Sequence, residues 1–171
     1  NAPNTFRYLA SFEDILEQRS SLKRFQKGQA YWSLWSTGAY TFAPYKVLWR
    51  EMPGGRFSAA YVGSVNVEGI GEKVVVPDHK LYFVPVETEE EAAYITGVLN
   101  APDVAYAVSA YSSQLSLGVS VVEYLKLPRF SLDNSNHVGI SEIAQKITRR
   151  GSTPTQTELS ELNVLVGRIF E

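Results

Sequence analysis

Residues 31–51 read YWSLWSTGAYTFAPYKVLWRE, and the fold turns on how this stretch is read. It holds all three tryptophans and three tyrosines, and it closes on Lys46, Trp49 and Arg50. As a strand, 46–51 places Lys46, Leu48 and Arg50 on one face and Val47 and Trp49 on the other, because side chains alternate along extended chain. Val47 and Trp49 are then the core face, and Lys46 and Arg50 the open one. Large aromatic residues are mostly buried, so Tyr31, Trp32 and Trp35 are expected in the core.

Outward from this stretch the pattern is mixed. Phe6, Leu9, Phe12, Leu16 and Leu22 recur at helical spacing from residue 5 to about 25, and Gly28 stands beyond as a stop. Strands are predicted at 40–42, 46–51, 57–63, 74–76 and 80–86, with Pro53-Gly54-Gly55 as a hairpin turn. Thr88 and Glu91 read as a capping box that opens a helix running to Leu99, so the acids there mark a helix start. A short helix follows over 103–111, then a polar loop over 112–118 and a strand over 121–125. Two amphipathic helices close the chain, separated by Gly151, the second opened by Thr155 and Glu158. The predicted class is α+β: a central twisted mixed or antiparallel sheet, an N-terminal helix, two short middle helices and two C-terminal helices. Residues 3–135 are expected to form the main α+β domain, and 136–171 a helical appendage packed on it.

With 171 residues the chain can bury a sizeable core. No apolar run of about 18 residues exists, which excludes a spanning helix. Asn1 and Ala2 read as a scar of tag removal, so the chain is expected to be an excised piece of something larger. The absence of cysteine excludes disulfides, thiolate nucleophiles and Cys-based metal sites, and fits a cytoplasmic protein. The net charge is −2, but it is unevenly spread. Over 1–56 eight Lys and Arg stand against four Asp and Glu. From Phe57 to Ala110 the balance reverses, with Glu87, Glu89, Glu90 and Glu91 clustered. A basic side facing a polyanion and an acidic side facing away would explain this polarity, and so would scatter.

Chemistry-bearing motifs are sparse. His79 and His137 lie far apart beside turn residues and lack the spacing of a zinc site, so both are expected at the surface and no metal site is predicted. Ser113, His137 and Asp133 can be strung into a hydrolase triad, yet no nucleophile elbow surrounds Ser113. Gly69-Ile70-Gly71 lacks a third glycine and precedes a strand, so it is a loop. FAPY, Phe42 to Tyr45, is similar to the Asn/Asp-Pro-Pro-aromatic motif of adenine amino-methyltransferases. Phe42 has no lone pair for the amine, however, and Ala43 replaces a proline. No catalytic residue is assigned.

A wider resemblance remains. TGAYTFAPYKVLWRE, FSAAYVGSV, VVVPDHKLYFVPVETEEEAAYITGVLNAP and SLGVSVVEYLKLPRF together resemble the C-terminal target-recognition region, the TaqI-like specificity domain, of bacterial restriction–modification adenine methyltransferases. The likeness covers 3 to about 150, and YTFAPYKVLWR and EEEAAYITGVLN are its most specific pieces. It implies a module that docks on double-stranded DNA, while a separate N-terminal methyltransferase domain of the same polypeptide binds S-adenosylmethionine. The resemblance leaves open whether that parent also cleaves DNA. Arg24, Lys27, Lys46 and Arg50 are the candidate DNA-binding residues, the last two within reach of phosphates or a guanine edge. The competing readings are pairing of Lys46 and Arg50 with acids such as Glu51, and a scaffold domain whose aromatic strands contact another domain of the polypeptide.

Overall fold

The computed structural model describes residues 2–51, 55–112, 118 and 123–171. They fall into two compact units, Asn1–Tyr40 and Thr41–Glu171. This division lies after Tyr40 rather than near residue 135.

The smaller unit opens with three short helices, α1 (Pro3–Ala10), α2 (Glu13–Glu17) and α3 (Ser20–Phe25), where the periodicity predicted one. The breaks have local causes. The Ser11 hydroxyl donates to the Tyr8 carbonyl at 2.6 Å, a side-chain bond that competes with continued helix. Arg19 leaves helical geometry with ψ 132. Its guanidinium donates to the carbonyls of Leu16, Tyr31 and Ser33 at 3.1, 2.7 and 2.8 Å. That cation staples the unit together and is not free for a partner. Gly28, at φ 81, takes the left-handed turn that follows α3.

A 3-10 turn, Ala39–Phe42, which runs across the division between the units, replaces the predicted strand at 40–42. Five strands follow: β1 (Tyr45–Arg50), β2 (Ala59–Val62), β3 (Ser64–Val67), β4 (Gly71–Val74) and β5 (Leu81–Val86). The sheet β2-β1-β5 is antiparallel throughout, with Trp49 opposite Ala59 and Tyr82. β3 and β4 form a separate hairpin. Its turn is the Gly69-Ile70-Gly71 loop, whose glycines sit at φ 75 and 86. The strand predicted at 74–76 is thus only the end of β4, and β3 lies where the sequence pattern predicts no strand. Of the hairpin turn predicted at 53–55, residues 53 and 54 lie outside the described residues. So do 113–117 of the polar loop and 121–122 of the last predicted strand; Glu123 and Tyr124 have helical backbone.

Four further helices are described, α4 (Glu89–Asn100), α5 (Pro102–Ser112), α6 (Ser135–Arg150) and α7 (Gln156–Ile169), of which α4 packs on the sheet. The class is α+β. α4 is buried without interruption from Ala92 to Leu99, because the sheet packs on one side of it and α6 on the other. Val47 and Trp49 share one core with Val98, Leu99, Ile140, Leu162 and Val166. The C-terminal helices therefore supply core residues of the same unit. Gly97 permits the close approach, since a Cβ there would stand 2.6 Å from Ile140 Cγ2.

Side chains also satisfy backbone groups at element ends. Asn100 accepts from the Ala59 N–H at 2.9 Å and donates to its carbonyl at 2.7 Å, pairing with β2 as a neighbouring strand would. Thr88 caps α4 by accepting from the Glu91 N–H. Thr155 and Glu158 form the reciprocal box at α7.

Candidate nucleic-acid interface

The four candidate cations divide between the units. Arg24 lies in α3 and Lys27 two residues beyond it, both exposed. Lys46 and Arg50 lie in β1, where alternation holds for the core face: Val47 and Trp49 are 0 % and 2 % exposed. Arg50, at the strand end, is exposed. Lys46 is not. It is 1 % exposed, and its ammonium donates to the Ala43 carbonyl at 2.7 Å. Burial pushes its pKa down, because the desolvated charge is disfavoured. The face opposite Trp49 is closed at Lys46, so this cation does not offer itself to a phosphate.

The smaller unit presents what the sequence pattern placed inside. Of the three aromatics expected in the core, only Tyr31 is buried; Trp32 and Trp35 are 45 % and 53 % exposed. Phe25, also exposed, stacks on Trp35 with ring centroids 4.6 Å apart and planes at 24°. Phe6 meets Trp32 edge-on at 5.2 Å. The position of Trp35 is set locally: Ser36 takes a left-handed φ of 58, and the Tyr40 hydroxyl donates to its carbonyl at 2.6 Å. Three short helices cannot enclose this many rings, and their brevity is the signal that periodicity concealed.

A depression of about 420 Å³ lies within the same unit, lined by Leu22, Lys23, Gln26, Lys27 and Gly28, with Glu17 on its wall. Among the described residues no acid lies within ion-pair distance of Lys23, Arg24 or Lys27. Residues 1–40 carry five Lys and Arg against three Asp and Glu, whereas 41–171 carry eleven against fifteen. The small unit is the cationic one.

Other titratable groups have structural occupations. His137, expected at the surface, is 4 % exposed beside Tyr94 and Phe130. Its Nδ1 accepts from the Ser131 N–H at 3.1 Å, and burial lowers its pKa. That bond occupies the nitrogen that the triad's Asp133 would need. Ser113 lies outside the described residues. Glu89 accepts from the Tyr61 hydroxyl at 2.9 Å and from Arg149 at 3.2 Å. Burial and this carboxylate push the Tyr61 pKa up to about 12. Among the described residues no three His, Cys, Asp or Glu are grouped to hold a metal ion. No described helix is long and apolar enough to cross a membrane.

Comparison with family models, with curated proteins and with solved structures finds no match to this chain.

Proposed function

We propose that this chain recognises double-stranded DNA as the specificity module of a larger adenine-specific restriction–modification methyltransferase acting in the cytoplasm. The observation that carries the DNA reading is the cationic unit of residues 1–40, in which Arg24 and Lys27 are exposed without an ion-pair partner among the described residues, and which also exposes aromatic rings. Cations neutralise phosphates and release condensed counterions, while aromatic faces add contact area. The sequence resemblance supplies the larger assignment, with methyl transfer in an N-terminal domain of the same polypeptide. S-adenosylmethionine belongs to that domain. Here Gly69-Ile70-Gly71 turns between two strands rather than into a helix, so it does not fit the cofactor's glycine-rich cradle.

Arg24 and Lys27 are the phosphate contacts of this reading, with Arg50 a further exposed cation and Lys46 a structural one. The test is duplex binding measured against salt. Arg24→Ala and Lys27→Ala should each lower the slope of log affinity against log salt by about 0.9. Charge reversal at Glu89–Glu91 should leave it unchanged, and so should Lys46→Met. Parental affinity and slope in both the Arg24 and Lys27 variants would refute the assignment.

A second reading has its own observation. α1 and α2 contain no buried residue, and Phe6, Tyr8, Phe12 and Ile15 are exposed. A neighbouring protein domain would cover such a set, in which case alanine at these positions should abolish domain association and leave DNA binding intact.

A further inference from the structure

Tyr8, Phe12 and Ile15 recur at i, i+4 and i+7 from α1 into α2, and are 66 %, 41 % and 68 % exposed. Such spacing puts them on one side of a helical path. The break at Ser11 preserves that side, since the Tyr8 and Phe12 rings meet edge-on at 5.2 Å. Phe6 stands two residues before Tyr8, hence about 160° round the helix, and its ring meets Trp32 of the same unit. Leu9 and Leu16 are half-buried. The side holding Phe6, Leu9 and Leu16 therefore faces the unit, and the Tyr8 stripe faces outward.

Arg7, Ser11 and Asp14 repeat the same spacing one position earlier and border the stripe on one side. This border carries a cation at its N-terminal end and an acid at its C-terminal end. Both are exposed, and among the described residues neither has an ion-pair partner. When two like helices pack antiparallel about a two-fold axis, each border meets its own copy in reverse order. Arg7 of one chain then stands opposite Asp14 of the other, twice over, while Tyr8 lies over Ile15 and Phe12 over Phe12. In a parallel pair the border would meet the opposite one, and the match would be lost.

We propose that the stripe of Tyr8, Phe12 and Ile15 is a docking surface for a second copy of this chain, packed antiparallel across a two-fold axis. A polarised border that complements itself distinguishes this occupant from an unrelated domain. With about one whole ring exposed between them, Tyr8 and Phe12 offer roughly 150–250 Å². That is well short of the ~800 Å² per partner of a standard interface, so the dimer is weak and forms at high concentration. α1 and α2 have eight and five residues, too few for a stable isolated helix, so pairing also raises their helicity. The inference takes up the reading in which a protein covers these helices and names that protein. It uses neither Arg24 nor Lys27 nor DNA.

Sedimentation velocity on the whole chain, over a concentration series up to the solubility limit, tests it. The parent chain should pass from monomer to dimer, and Ile15→Glu should remain monomeric. Arg7→Glu and Asp14→Arg should each weaken dimerisation by roughly tenfold or more, because both pairs become like-charged. An equimolar mixture of these two variants should recover the dimer, since one border is then all acidic and the other all basic. The recovery should fade as salt screens the charges. If circular dichroism shows Ile15→Glu unfolded, the two charge variants and their mixture decide instead.

A chain that stays monomeric throughout the series would overturn the second copy and return the stripe to a neighbouring domain. A dimer unaffected by Ile15→Glu, or charge variants whose mixture stays monomeric, would overturn the antiparallel arrangement. Duplex binding absent from a chain that dimerises as described would strike only the DNA reading. Duplex binding by a chain that never dimerises would strike only the docking surface.

Discussion

Gly97→Ala is the sharpest perturbation of the larger unit, because two effects of known size oppose each other there. In an exposed helix the change stabilises by about 1 kcal/mol, since alanine loses less backbone freedom than glycine. Inside α4 the added Cβ would stand 2.6 Å from Ile140 Cγ2, 3.2 Å from the Ile140 carbonyl oxygen and 3.4 Å from Leu162 Cδ2. Carbon atoms prefer about 3.5–4.0 Å, so the Ile140 methyl must retreat by roughly 1 Å. It has little freedom to do so. Ile140 is 0 % exposed, and a β-branched residue in a helix keeps one dominant rotamer. The carbonyl behind it is backbone, so α4 and α6 must part. Overpacking of this kind costs about 1–3 kcal/mol, and the backbone clash argues for the upper half of that range. The expected net effect is destabilisation by about 1–2 kcal/mol, a fall in melting temperature of roughly 3–8 °C for a unit of this size. Urea unfolding followed by circular dichroism measures it, with an unchanged m-value showing that the transition is the same. Ile140→Leu removes the offending Cγ2, so Gly97→Ala should cost less in that background. A stability gain of about 1 kcal/mol in the single variant would refute the reasoning, and the C-terminal helices would then be loosely attached.

Three further outcomes are expected. Trp49→Ala should cost about 3–5 kcal/mol in denaturant unfolding, whereas Arg50→Ala next to it should change stability by no more than about 0.5 kcal/mol; equal effects would mean the β1 register is wrong. His137 is held neutral by burial, with its pKa below the usual 6.5. The unfolded chain takes the proton more readily, so its contribution is full above pH 6.5 and declines as pH falls toward the folded-state value; His137→Gln should flatten this part of a stability profile. Glu158 is held at a pKa of about 2, below its ordinary 4.5, first by Arg150 and then by the Thr155 N–H. Its contribution is present above pH 4.5 and is lost as pH falls toward 2, so the difference in urea midpoint between the parent chain and Glu158→Gln should close across that window; a constant difference would contradict the assignment.

Much of the larger unit was legible in sequence because local rules agree there. Alternation in β1 names Val47 and Trp49 as core, and the capping residues Thr88, Thr155 and Glu158 stand where the helices begin. Alternation failed at Lys46 because it assigns a side chain to a face but does not say whether that face is open. His137 was misplaced for a related reason. Its turn neighbours suggested a surface, yet the residue sits in the first turn of α6 with its ring against Tyr94. The small unit defeated periodicity, since helical spacing over 5–25 persists across breaks made by Ser11 and Arg19.

The sequence by itself determined the α+β class, the β1 strand, the core face of that strand, and the cation excess of the N-terminal segment. Those properties follow from dihedral preference, side-chain alternation and composition, which act over a few neighbouring residues. Tertiary structure alone decided that Lys46 is enclosed, that Gly97 lies against Ile140, and that Phe25 and Trp35 stack in the open. Each of these depends on which distant surfaces meet. Arg19 shows why: whether α3 joins the preceding helix is decided by carbonyls at residues 31 and 33, beyond the reach of any local propensity.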